Sequence, residues 1–265
     1  MGDLNPLSAW RRFLALPNDS RTKTLIVAFL VAGVCALMVS GATVLLRPIQ
    51  AANRAAEEQA RLGALVAGVP GMEDLLARSD GALSTVVVDL DRGGAAEGVT
   101  PAGLEAALGD AGNWTDLAQA DDVAGLGRRP DLAQIYLLRQ DDAVRLLLLP
   151  MVGSGYNGQI RALMALQGDM ATVAGLAITA QQETPGLGAR IEEPAWLAQF
   201  PGRQAVDDSG QVRFAVARGQ ASSIHEVDGI TGATRTSNGV TQMVRFWLGP
   251  KGYGPLLDAI RRGEF

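Results

Sequence analysis

From Thr24 to Leu46 the chain runs 23 residues without a charge. As a helix this run is roughly 34 Å long at about 1.5 Å per residue, enough to cross a hydrocarbon core of about 30 Å. Arg21 and Lys23 bound it on one side, Arg47 and Pro48 on the other. A cleaved leader has a shorter apolar core of about 7–15 residues close to the N-terminus, followed by a small-x-small site. No convincing site of that kind follows here, so the segment is expected to stay as a membrane anchor. The next stretch, 47–70, is rich in Ala, Glu, Gln and Arg. It predicts a second, juxtamembrane helix with Pro48 in its first turn, ended by Gly68, Pro70 and Gly71.

Beyond residue 71 the period shortens. The run 83–91 predicts a strand through its β-branched residues, and 100–108 a short helix begun by Thr100 and Pro101. Residues 133–151 predict a hairpin turning at Gln140, Asp141 and Asp142. Further strands are expected at 159–167, 173–181 and 211–217. Val240, Met243, Val244, Trp247 and Leu248 recur at helical spacing and predict an amphipathic helix. Thr236, Ser237 or Asn238 is expected to cap its start, and Gly249-Pro250 to end it. The expected fold class is α+β. It comprises an N-terminal segment (1–23), a transmembrane helix (24–46), the juxtamembrane helix (47–70) and a domain (71–265) with a mainly antiparallel sheet and packed helices.

Charge and composition narrow the chemistry. The chain has 265 residues and a formal net charge of -5, which argues against nucleic acid as a partner. One cysteine and one histidine cannot make an intramolecular disulfide, an iron–sulfur cluster held by this chain alone or a His-rich metal site. No metal ligand and no catalytic residue is assigned, and redox chemistry here would need an organic cofactor. Cys35 reads as a small apolar helix residue, and Gly33, Ala36, Ser40 and Gly41 as places where partner helices approach. Arg11, Arg12, Arg21 and Lys23 precede the span; Arg47, Arg54 and Arg61 follow it, diluted by Glu57 and Glu58. That asymmetry weakly favours a cytoplasmic N-terminus and a periplasmic C-terminal domain on a bacterial inner membrane.

The informative motif is DGITGATRTS, 228–237. Its small residues favour a tight turn, and the helix expected behind it offers free N–H groups to an anion. On these grounds the stretch is equally a phosphate site or an ordinary loop. No Gly-x-x-x-x-Gly-Lys-Ser/Thr is present, so a nucleotide-hydrolysing loop is unsupported.

The same residues resemble the flavinylation motif of FMN-binding domains. Glu183-Thr184-Pro185-Gly186-Leu187-Gly188 resembles the second signature of that family, and 155–161 the strand entry before it. The runs 246–255 and 47–53 are similar to the NqrC family, which supplies one subunit of the sodium-pumping NADH:quinone oxidoreductase. The resemblance implies FMN joined by a phosphoester to Thr234, a bond made by a flavin transferase of the ApbE family. Thr231, Gly232, Ala233, Asp228, Thr236 and Ser237 would surround the phosphate. Glu183, Thr184, Gly186, Leu187 and Gly188 would lie against the ring. It further implies electron transfer within a membrane complex: from NADH oxidised on another subunit, through an iron–sulfur centre, to this FMN and on towards a further flavin and quinone. Sodium crosses the membrane elsewhere in that complex. Two alternatives are carried: the RnfG subunit of the related Rnf ferredoxin:NAD oxidoreductase, and a non-redox membrane-anchored binding module.

Ser40-Gly41-Ala42-Thr43 matches the four-residue core as well. It lies inside the apolar run, where a phosphoester would be costly, and reads as coincidence. His225 reads as a satisfied histidine, Glu192-Glu193 as a solvated pair, and Trp196, Phe200 and Trp247 as core or interface aromatics.

Overall fold

The computed structural model describes residues 15, 17, 20–67, 84–140 and 143–265. The chain forms two compact units, Met1–Gln59 and Ala60–Phe265. Helix α1 spans Arg21–Ala67, and the Ser20 hydroxyl accepts from Lys23 N at its start (3.2 Å). Within it Lys23–Val44 has a mean hydropathy of 2.5 and no burial inside the protein. By length and composition it is long and apolar enough to cross a membrane. The expected break at Arg47-Pro48 is absent, because a single helix runs through it. A proline inside a helix removes one backbone hydrogen bond, to the carbonyl four residues back. The Ala, Glu, Gln and Arg residues on its C-terminal side are strong helix formers and carry the helix onward. The expected stop at Gly68, Pro70 and Gly71 lies outside the described residues.

The second unit is built on a six-stranded antiparallel sheet, in the order β2-β1-β5-β6-β7-β8. Its strands are β1 (Ser84–Asp89), β2 (Gly94–Ala95), β5 (Leu132–Gln140), β6 (Ala143–Ser154), β7 (Gln159–Gln167) and β8 (Val173–Ala180). Two short pairs lie apart from it: β3 (Trp114–Asp116) with β4 (Arg128–Pro130), and β9 (Ala215–Val216) with β10 (Glu226–Val227), the latter parallel. The hairpin forms with Gln140 opposite Ala143; its turn residues Asp141 and Asp142 lie outside the described residues.

Alternation along the strands sorts the apolar side chains onto two faces. Leu147, Leu149, Met151, Ile160, Met164 and Leu166 belong to the main core; Leu138, Leu146, Leu148, Leu163, Ala165 and Ala174 form a smaller cluster. All four leucines of 146–149 are buried, as a central strand covered on both faces requires.

Short helical pieces flank the sheet, among them a 3-10 turn Pro101–Gly103 running into α2 (Leu104–Leu108), another at Gly188–Glu192, and α3 (Pro194–Leu197). The main core is completed by α4 (Thr234–Leu248) and α5 (Gly254–Arg261). Val240, Met243, Val244, Trp247 and Leu248 are all buried, and burying an aliphatic side chain of this size contributes about 1.5–3 kcal/mol. Contact with β6 is close. A Cβ on Gly153 would sit 2.7 Å from Met243 Cβ, and one on Gly239 2.5 Å from the Ser154 carbonyl. Trp247 Nε1 donates to the Val152 carbonyl (2.7 Å), and the Tyr253 hydroxyl to that of Pro150 (2.7 Å). The α4 N-terminus is thereby fixed against the end of β6.

Two expectations change. The strand expected at 211–217 shrinks to Ala215–Val216. Upstream, both Arg213 N and Phe214 N donate to the Ala205 carbonyl, an irregular crossing with no ladder. The helix also begins earlier than Thr236: its N-cap is Ala233, without a side-chain capping bond.

Candidate functional site

Thr234 is the first residue of α4, with its side chain exposed. The first amides of a helix have no partner inside it. Here Ala233 N donates to the Ile230 carbonyl (3.0 Å), whereas among the described residues no partner is recorded for the amides of Thr234, Arg235 and Thr236. Three donors and the positive end of a 15-residue helix therefore lie beside the Thr234 hydroxyl. No acidic residue stands in the first turn to compete for them. An anion placed there is favoured by about 0.3–1 kcal/mol from the dipole alone.

The loop ahead of the helix is rigid at both ends. Gly232 takes φ +78, a left-handed conformation that costs other residues about 1–2 kcal/mol. Asp228, half-buried, is held three ways. Its Oδ1 accepts from Ala221 N (2.7 Å), its amide donates to Gln199 Oε1 (2.9 Å), and its carbonyl accepts from Trp196 Nε1 (2.8 Å). Asp228 thus pins the loop through protein contacts. Ser237, buried, accepts from Ile230 N (3.5 Å). Thr231 and Gly232 stand exposed in the loop, and Ala233 is buried.

The two sequence motifs meet at Glu183, which is buried at 5% exposure. Its Oε2 accepts from the buried Thr236 hydroxyl (2.5 Å), and its Oε1 from Tyr156 N (2.8 Å) and Asn157 N (3.1 Å). One carboxylate therefore ties the α4 N-terminus, the β6–β7 turn and the 183–188 loop together. The glycines around it leave its space open: a Cβ on Gly188 would lie 2.6 Å from both Glu183 Oε2 and Thr236 Oγ1, and one on Gly155 would overlap Oε1.

From Thr184 the chain turns as Pro-Gly favours in a type II turn. Leu187 N donates to the Thr184 carbonyl (3.1 Å), and Gly186 has φ +75. The turn leaves Leu187 45% exposed, close enough to the 231–234 loop that a Cβ on Gly232 would sit 3.0 Å from its Cδ2. The Thr184 hydroxyl accepts from Asn157 Nδ2 (2.9 Å).

Tyr156, 56% exposed, has the Arg235 guanidinium 5.4 Å from its ring centroid. Motif reading assigns neither residue to the site. The available signal is an aromatic beside a β-turn and a cation one residue past the motif threonine. Together with Leu187 they give the exposed hydroxyl an apolar and aromatic border, while Thr236, Ser237 and Glu183 face inward.

The remaining candidates separate cleanly. The Thr43 hydroxyl donates to the Val39 carbonyl within α1 (2.8 Å), a local bond that offers nothing to a ligand. His225 Nδ1 donates to the Gln204 carbonyl (2.7 Å). Trp196 packs edge-on to Phe200 at 4.9 Å and Phe200 stacks on Phe214 at 5.6 Å, all in the core.

Comparison with known proteins matches residues 155–249 to the FMN-binding domain family. The NqrC component of the Na(+)-translocating NADH-quinone reductase of Pseudomonas aeruginosa is 36% identical over 262 residues, covering 93% of this chain and 98% of the relative. Its counterpart from Vibrio alginolyticus is 38% identical over 258 residues, covering 95% and 99%. Among solved structures, Shewanella oneidensis NqrC superposes with a TM-score of 0.61 at 24% identity, covering 72% of this chain and 88% of that one. This last likeness concerns the fold.

Proposed function

We infer the function from the family: the chain belongs to the NqrC family of Na(+)-translocating NADH-quinone reductase subunits. In this reading it is a membrane-anchored electron-transfer subunit of that complex, with FMN held through a phosphoester on Thr234. The observation that supports this most is the exposed Thr234 hydroxyl at a helix start whose first amides have no partner among the described residues. The residues present fit the group. The amides of 234–236 would meet a phosphate, Gly232 would leave the approach open, and Leu187 and Tyr156 would offer apolar surface to a planar ring.

Attachment is a substitution at phosphorus. The Thr234 oxygen forms the new P–O bond, the P–O bond to AMP in FAD breaks, AMP leaves and the hydroxyl proton is lost. A flavin transferase supplies that chemistry. When bound, FMN accepts and gives electrons singly or in pairs. This chain's residues hold it at one place, between an upstream iron–sulfur centre and a downstream flavin on other subunits. Glu183 acts through Thr236, Tyr156 and Asn157 and positions the loops. The relatives' names favour this complex over its ferredoxin-linked counterpart. The span Lys23–Val44 anchors the subunit in the inner membrane with its C-terminal domain in the periplasm.

The test is peptide mapping of protein purified from membranes after co-expression with the transferase. FMN retained on the peptide containing Thr234 supports the reading. A flavin-free chain under those conditions overturns it.

A further inference from the structure

A cleft of about 650 Å³ opens at the other end of α4, lined by Arg245 and Leu248 of that helix, by its C-cap Gly249 and by α5. Thr234 lies 14 residues earlier on the same helix, roughly 21 Å away at about 1.5 Å per residue, so this cleft is not part of the flavin surface. Its floor includes Val206, Val212, Leu248 and Leu257. Four arginines stand on its walls, Arg92, Arg245, Arg261 and Arg262, with Asp258 in the lining and Asp89 and Glu264 paired to Arg92 and Arg262 from just outside it. The whole chain carries a formal charge of -5, so this local excess of cations runs against the average of the molecule.

Three segments distant in sequence build the cleft. Gly93, at φ +70, packs directly on the backbone of Pro255 and Leu256 and so delivers Arg92 to the rim. Val206 and Val212 bridge across a short turn, which brings both to the floor. The run 249–255 makes the corner, fixed by Tyr253 N donating to the Trp247 carbonyl (2.5 Å). That corner is a motif the flavin site leaves unexplained.

The arginines are not equally engaged. Arg261 is tied to Asp258 and to the Met170 carbonyl. Arg245 Nε donates to the Phe214 carbonyl, and no carboxylate partner is recorded for its guanidinium among the described residues. Arg92, its side chain 77% exposed, lies 3.6 Å from Asp89, and Arg262, 58% exposed, is paired with Glu264 at 2.6 Å and also feels Asp258.

We propose that this cleft docks an acidic, apolar-centred segment of another subunit, an apolar side chain seated on the valine–leucine floor and flanking carboxylates meeting Arg92, Arg245 and Arg262. The charge complementarity argues for it: Arg245 has no carboxylate partner among the described residues, and Arg92 and Arg262 hold theirs in exposed pairs that an incoming carboxylate can share, so a rim with one more cation than anion around an apolar floor suits carboxylates bracketing one buried side chain. The proposal rests on the reading that the chain works as one subunit among several.

The test uses the full chain expressed with its complex. Arg92→Glu with Arg262→Glu should lower co-purification with the other subunits by about tenfold at physiological salt, since charge reversal at a rim acts on association and its salt dependence. Covalent flavin and the unfolding midpoint should match the parent. Unchanged co-purification overturns the docking site. In the parent background, Val212→p-benzoylphenylalanine should crosslink to a segment of another subunit rich in Asp or Glu. A crosslink to phospholipid, to a segment lacking acids, or to nothing overturns it too. A parent chain that does not co-purify with other subunits overturns the subunit reading itself.

Discussion

Two segments far from it in sequence lean on the carboxylate of Glu183, one through Tyr156 N and Asn157 N and the other through the Thr236 hydroxyl. Removing it leaves the buried Thr236 hydroxyl and two part-buried amides without their acceptor, and an unsatisfied buried donor costs about 1–3 kcal/mol. Glu183→Ala should therefore lower urea stability by about 1–3 kcal/mol and reduce flavin labelling. Glu183→Gln, which keeps an acceptor for the two amides, should recover most of the stability. Equal loss in both variants would show that charge, and not bracing, is what matters. Gly188→Ala is expected to cost about 1–3 kcal/mol by overpacking, since its Cβ would lie 2.6 Å from Glu183 Oε2; a stability within about 0.5 kcal/mol of the parent, the scatter of neutral surface changes, would contradict the described packing. Motif reading brings Glu183 and Thr236 to the same site and misses what each does there. Thr236 reads as a cap from its type alone; its actual partner is 53 positions away, beyond any local pattern.

Among the elements, the periodic ones are legible. β7 spans Gln159–Gln167 as expected, and the apolar spacing of 240–248 marks the buried face of α4. The ends are not. α4 starts two residues before the earliest expected cap, because Ala233 can take the cap position without a side-chain bond when the loop before it is pinned by Asp228. The segment 211–217 has strand composition, but tertiary contacts with 205–207 decide its path.

Beside it, the Ser209 hydroxyl, then Arg213 and Gln211 N, hold the Asp207 carboxyl below the ordinary carboxylate range. A carboxyl depressed in the folded state stabilises above its unfolded pKa of about 3.9 and loses that contribution as pH falls through the folded value. The turn 207–211 should stay closed at about pH 6 and open only well below about pH 4, followed by the amide shifts of Ser209 and Gln211. Asp207→Asn should open it at neutral pH. Opening in the parent near about pH 5 would contradict the bonding described.

For the whole molecule, the apolar helix and the charge asymmetry around it are readable directly, since length and charge are properties of the sequence itself. With the N-terminus cytoplasmic, protease added outside spheroplasts should digest residues beyond about 50; full protection would reverse the orientation. The central claim is the attachment at Thr234, and two threonines in this chain share the same preceding Gly-Ala. One stands exposed at the start of α4, and the other bonds to Val39 within α1. Co-expression with the transferase and in-gel flavin fluorescence of Thr234→Ala, Thr43→Ala and Thr231→Ala separates them in one experiment. The account predicts no signal for Thr234→Ala, full signal for Thr43→Ala and a reduced one for Thr231→Ala; fluorescence kept in Thr234→Ala and lost in Thr43→Ala would contradict it.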